Sequence, residues 1–116
     1  MLSLIAMEPP TSFSTENIHA EKAKVTRAIK TYTPEQVLSE VIRGQYSAGK
    51  IGDKDVLDYR SEKNIARDSS VETYVALKLF IDNWRWLNVP FYLRTGKRMP
   101  VRASEIIVQF KSGPSA

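Results

Sequence analysis

Four basic residues, Arg94, Lys97, Arg98 and Arg102, fall within nine positions around Gly96, and Glu105 is the only acid near them in sequence. So many cations cannot all be neutralised locally. Guanidinium and ammonium groups of this kind make charge-assisted hydrogen bonds to phosphate oxygens or sugar hydroxyls. A solvated basic turn has the same composition, and on the residues alone both readings stand. Gly96-Lys97-Arg98 is not a nucleotide phosphate loop, because Phe91 and Arg98 occupy the places of the required earlier glycine and following hydroxyl. Trp84 and Trp86 are two apart, and in an extended segment they would face the same way beside Arg85, as a stacking platform for single-stranded nucleic acid does. Aromatic residues at strand ends also serve as core or interface, and that reading is preferred. His19, the single histidine, lies near the start of a predicted helix with no carboxylate fixed beside it, and reads as a surface residue. Asp53, Asp55 and Asp58 imitate a calcium loop, but the glycine and terminal glutamate are not at the needed offsets. No metal site and no catalytic nucleophile–base pair is predicted.

The elements that must position the basic cluster follow from hydrophobic period. Val71, Thr73, Val75, Leu77, Leu79 and Ile81 alternate along Val71–Asp82, the pattern of a half-buried strand, so Leu77 and Leu79 should share a buried face. Asn83–Asn88 turns the chain, Pro90 biases Val89 toward extended backbone, and Phe91–Arg94 forms a second strand. Gly96 is read as the bend before Lys97. Glu105–Phe110, with Ile106, Val108 and Phe110 on one face, is expected as a third strand, completing an antiparallel meander. Upstream, Met1–Met7 is apolar and stops before Pro9-Pro10. Ser12–Thr15 offers caps for a helix from about Glu16 to Thr31, whose stripe is Ile18, Val25, Ile29 and Tyr32. Thr33-Pro34-Glu35 starts a turn or short helix, and Val41–Tyr46 contains a short strand ending at Gly44. Ser47–Asp68 reads as a long surface excursion, and Ser112–Ala116 as a loose tail. The fold class is therefore α+β, an antiparallel sheet with helices packed on one side.

Several stretches carry a resemblance. Asp82-Asn83-Trp84-Arg85-Trp86, Val89-Pro90-Phe91-Tyr92-Leu93-Arg94-Thr95-Gly96-Lys97 and Ser104-Glu105-Ile106 are similar to the C-terminal domain of the glucose-6-phosphate dehydrogenase family. Arg43-Gly44-Gln45-Tyr46 and Met1–Pro10 extend the likeness over essentially the whole chain. The resemblance implies that Lys97 and Arg102 line a glucose 6-phosphate site. It also implies oxidation of that sugar at C1 by hydride transfer to NADP, giving a lactone in the pentose phosphate pathway. The family's catalytic histidine falls just upstream of the position matching Met1, so no catalytic and no cofactor-binding residue is assigned within 1–116. Ala103 stands where some relatives carry another basic residue, a departure at which an additional structural NADP site would lose a charge. The chain then reads as a fragment of the C-terminal substrate and dimerisation domain. The Rossmann domain that binds NADP lies outside it, and a homodimer or higher oligomer forms through the sheet.

Composition sets wider bounds. The chain has 116 residues, enough for one core, with 42% hydrophobic and 26% charged residues and a net charge of +4. That excess favours anionic partners without choosing among sugar phosphate, nucleic acid or membrane surface. No cysteine is present, which excludes disulfides and thiolate metal sites. No stretch approaches a membrane span, Met1–Met7 lacks the form of a signal peptide, and a cytoplasmic protein is expected, with no nucleic-acid or membrane partner. A stand-alone sheet-based module binding anions or nucleic acid, or a purely structural oligomerisation piece, are the alternatives. A longer open reading frame around the chain would separate the dehydrogenase reading from both. The purified 116-residue chain should give no glucose-6-phosphate-dependent NADP reduction, and turnover free of host enzyme would refute the reading of it as a fragment.

Overall fold

A computed structural model describes residues 1–113, so the last three positions of the Ser112–Ala116 tail, 114–116, lie outside the described residues. The elements run α1 (Leu2–Ala6), α2 (Thr15–Arg27), α3 (Pro34–Glu40), β1 (Val41–Gly44), β2 (Gly49–Ile51), β3 (Lys54–Val56), β4 (Tyr74–Leu79) and β5 (Phe91–Gly96). The architecture is α+β, with a three-stranded antiparallel sheet in the order β1-β4-β5 and a separate β2-β3 hairpin. The central strand β4 falls within the predicted Val71–Asp82. Its register sets Leu77 opposite Val41 and Leu93, and Leu79 opposite Phe91. Leu77 and Leu79 thus share a face, with Leu79 buried and Leu77 half-buried. The third strand of the sheet is β1, not Glu105–Phe110. That segment has the alternation of a strand, yet it runs exposed and unpaired by backbone hydrogen bonds, with Ile107 and Phe110 almost fully open. Alternation reports which residues favour a pleated surface, not whether a partner strand lies alongside.

The core is small. Ala6, Val25 and Ile81 are buried together, flanked by Leu2, Met7, Ala28, Ile29, Trp86 and Phe91. These residues bring α1 and α2 to the Leu79–Ile81 end of the sheet. Ser14 caps α2 by accepting from the Asn17 backbone N–H. Sequence periodicity carries this helix to Thr31, but it ends at Arg27. Residues 28–30 instead pair with β4's extension: the Lys30 N–H donates to the Phe80 carbonyl, the Asp82 N–H to the Ala28 carbonyl, and Ile29 bridges Ile81. Sheet-like pairing has replaced the last helical turn, and Tyr32 reaches on to the sheet, its hydroxyl donating to the Lys78 carbonyl.

Two further local devices hold the frame. Thr33 and Gln36 form a reciprocal capping box that starts α3, and Pro34 takes the first turn, where its missing N–H costs nothing. Glu8 grips Arg85 through both carboxylate oxygens, and the Trp86 indole N–H donates to the Ala6 carbonyl at 2.9 Å. Arg85 therefore holds the Glu8 carboxyl below the usual carboxylate range. Asn83–Asn88 is a turn, as expected, with the Asn83 side chain accepting from the Trp86 N–H and Asn88 at φ +63°. Ser47–Asp68 is less irregular than its composition suggests. It contains the β2-β3 hairpin, closed by Gly52-Asp53 with Gly52 at φ +59°, and a 3-10 turn at Tyr59–Ser61 capped by Asp58.

Gly96 is not the bend. It sits inside β5 opposite Tyr74, and the left-handed residue at the corner is Arg98, at φ +56°. Glycine is required at 96 for room: a Cβ there would lie 2.8 Å from the Tyr74 ring and 2.9 Å from the Met99 sulfur. Met99 can swing aside, whereas Tyr74 is fixed by its place in the central strand. Gly96→Ala should therefore destabilise the chain by about 1–3 kcal/mol, the usual cost of overpacking. Urea unfolding of the two proteins measures it, and unchanged stability would show that the ring yields freely.

Candidate functional site

The basic residues fall at the end of β5 and just beyond. Arg94 faces Ala76 across the ladder, on the sheet face that also carries Tyr92 and Ile42. Lys97 follows the last β5 residue, and its backbone N–H donates to the Thr73 carbonyl at 2.8 Å. Arg102 lies on the extended segment after the corner. Arg94, Lys97 and Arg102 are all exposed, and none has an ion-pair partner among the described residues. Lys97 and Arg102 share no hydrogen-bond partner there either. Arg98 behaves differently. Its guanidinium meets Glu62 at 2.7 Å and lies 6.0 Å from the centre of the Tyr46 ring. Tyr46 and then Glu62 raise its pKa still further. Glu105 was the only acid that sequence proximity offered, but the acid that enters the cluster is Glu62, 36 positions from Arg98.

The corner is tied to the rest of the molecule through Thr73, a buried polar residue. Its N–H donates to the Gly44 carbonyl, its carbonyl accepts from Lys97, and its hydroxyl accepts from the Tyr46 N–H at 3.0 Å. Tyr46 in turn packs edge-on against Tyr59 and its hydroxyl donates to Glu62. Gln45 donates to the carbonyls of Ser69 and Val71 and accepts from Arg60. Arg43-Gly44-Gln45-Tyr46, to which sequence gave no physical role, is thus the tie between the excursion, β4 and the Lys97 corner. Its Gln and Tyr were visible in sequence, but nothing in the spacing marked their distant partners.

The other candidate chemistries disperse. Trp84 is exposed, with Arg85 over its ring, while Trp86 turns into the core and stacks edge-on with Phe91 at 5.1 Å. The segment between them is a tight turn rather than a strand, so the two indoles form no shared stacking platform. His19 is exposed on α2. Asp58 is a cap and Asp55 faces Lys50 at 3.9 Å. Among the described residues no helix is long and apolar enough to cross a membrane.

With the antiparallel sheet and its basic corner in view, the whole chain can be compared with known proteins. A sequence model described as glucose-6-phosphate dehydrogenase, C-terminal domain, matches residues 1–116. The chain belongs to this family. It is 51% identical over 114 residues to a glucose-6-phosphate 1-dehydrogenase of Bacillus subtilis (strain 168), covering 98% of this chain and 23% of that protein. A glucose-6-phosphate 1-dehydrogenase of Zymomonas mobilis is 46% identical over the same span and shares. The chain thus spans about a quarter of the length of these relatives. Among solved structures, glucose-6-phosphate 1-dehydrogenase from Mycobacterium avium superposes with a TM-score of 0.64 at 42% identity, covering 82% of this chain and 18% of that one. A glucose-6-phosphate dehydrogenase in complex with its substrate glucose 6-phosphate gives the same score and coverage at 33% identity.

Proposed function

We propose that the chain is the sheet portion of a cytoplasmic glucose-6-phosphate dehydrogenase, which oxidises glucose 6-phosphate to 6-phosphogluconolactone with reduction of NADP. Lys97 and Arg102 form a basic wall of the sugar-phosphate site. The observation that carries this reading is a pair of exposed cations, without ion-pair partners among the described residues, at the Gly-Lys corner of a family member. Their charge is available to a ligand because Arg98 takes up Glu62. The relative whose structure holds glucose 6-phosphate supports the choice of ligand. NADP does not fit the described residues: their sheet is antiparallel, and they hold no parallel βαβ unit with a glycine-rich turn to cradle a pyrophosphate. The coenzyme is assigned to the N-terminal Rossmann part of the parent enzyme and the proton-accepting histidine to the stretch just upstream of the position matching Met1, both outside these residues.

Assembly through the sheet belongs to the same reading. A closed protein of 13.2 kDa exposes about 6,400 Å², but this chain exposes 9955 Å². Its radius of gyration is 18.6 Å, against about 13 Å for a compact domain of this length. Much apolar surface is therefore left for other protein to cover. The face bearing Ile42, Tyr74, Ala76, Tyr92 and Phe80 is mixed in character, as subunit interfaces are, with Ile42 and Tyr92 open. Leu4 and Ile5 of α1 are also exposed, whereas Leu2 packs on the core.

Two experiments test the reading. In the parent enzyme, Lys97→Ala should raise KM for glucose 6-phosphate and leave NADP use nearly unchanged. A lost charged hydrogen bond is worth roughly 1.5–3 kcal/mol, on the order of 10–150-fold, with Arg102→Ala acting in the same direction. Wild-type KM in both variants would make the corner merely solvated surface. Sedimentation of the 116-residue chain over a concentration series should show self-association, weakened by Phe80→Lys. A strict monomer at high concentration would refute the sheet-assembly reading, while association indifferent to Phe80→Lys would shift it to the sheet edge or Met1–Met7.

A further inference from the structure

Arg98 is a long side chain held in the left-handed region, at φ +56°, directly after Lys97. Without support, a residue other than glycine leaves that region for the right-handed one by an equilibrium factor of roughly ten. The backbone at 98 sets the direction in which the chain leaves Lys97 on its way to Arg102. Whatever holds residue 98 therefore holds the two cations relative to each other. Three contacts link Arg98, Tyr46 and Glu62, and two of them converge on one carboxylate oxygen. Glu62 Oε1 accepts from Arg98 Nη2 at 2.7 Å and from the Tyr46 hydroxyl at 3.3 Å, while the guanidinium lies over the Tyr46 ring. Glu62 is itself held: its N–H donates to the Tyr59 carbonyl, its carbonyl accepts from Ile65, and its side chain is about three-quarters covered, at 26% exposure. A merely solvated surface pair would have neither the backbone anchoring nor the aromatic wall.

We propose that Glu62 is a positioning residue for substrate. Through Arg98 it fixes the left-handed turn that sets Lys97 and Arg102 at the spacing a sugar phosphate requires, and it keeps Arg98 from being a ligand itself. The inference rests on the reading of Lys97 and Arg102 as substrate contacts. The 47–68 excursion thereby gains a function: its hairpin and 3-10 turn deliver one carboxylate to the corner.

The test is a double-mutant cycle on a whole dehydrogenase carrying these residues, with glucose 6-phosphate as the probe. Glu62→Ala should raise KM for glucose 6-phosphate about tenfold, the factor set by the freed backbone, with kcat and the KM for NADP nearly unchanged. Glu62→Gln, which still offers an oxygen to Arg98 and Tyr46, should fall between the two. In an Arg98→Gly background, where glycine holds the left-handed turn unaided, Glu62→Ala should have no further effect on KM. A general structural role for Glu62 predicts the same loss in both backgrounds. Unchanged or lowered KM in Glu62→Ala, or an undiminished effect beside Arg98→Gly, would overturn the proposal. Lys97→Ala, run in parallel, separates the two levels. If it raises KM while Glu62→Ala does not, the positioning role alone fails; if it too leaves KM unchanged, the substrate-site reading fails and takes the positioning role with it.

Discussion

Thr73 is the residue on which the architecture hangs. It stands just before β4, buried, and satisfies its backbone N–H and hydroxyl with Gly44 and Tyr46 of the Arg43–Tyr46 tie, and its carbonyl with Lys97 past the end of β5. A buried polar group left without a partner costs about 1–3 kcal/mol, so the tie and the corner must arrive together or not at all. This is why the Lys97 corner is rigidly placed even though its side chains are bare to solvent. The hydrophobic core lies at the other end of the sheet, around Ile81, and gives the corner no direct support. Polar satisfaction at one end and apolar burial at the other divide the work of holding β4.

Sequence reasoning reached the elements whose signal is local. The alternation over Val71–Ile81 located β4, Pro90 and the aromatic run located β5, and Ser14 fell within the predicted capping stretch for α2. Two local signals were present and passed over: the Thr33–Gln36 capping box, and Gly52-Asp53 between two short runs, which is a hairpin turn. The remaining differences have long-range causes. The last turn of α2 gives way because Ala28 and Lys30 find backbone partners at Asp82 and Phe80, 54 and 50 positions away, and no periodicity contains that. Glu105–Phe110 has the right alternation but no neighbouring strand among the described residues.

The site was legible in its charges and not in its geometry. Four cations around a glycine could be read directly, and the family likeness singled out Lys97 and Arg102. Which cation would be neutralised could not be read, because Glu62 is separated from Arg98 by 36 positions that include all of β4 and β5. Gly96 was assigned the wrong kind of necessity. Flexibility is the usual reason for a glycine at a corner, but here the reason is steric room beside Tyr74, and the unusual backbone angle falls on an arginine. The lesson is general for such corners: a residue type narrows the possible reasons for its presence, and only the neighbours select among them.

The clasp between the start and end of the chain bears on how it is made. The Trp86 indole reaches the Ala6 carbonyl across 80 positions, and Arg85 reaches Glu8 across 77. During synthesis at about 5–20 residues per second, the segment around Ala6 waits roughly 4–16 s for those partners. Until they emerge, the Ala6 carbonyl and the Glu8 carboxylate lack the partners that the clasp supplies. Leu2 and Met7, which pack on the core beside Trp86, lack that cover for the same interval. The order of translation thus sets when this end of the core can close.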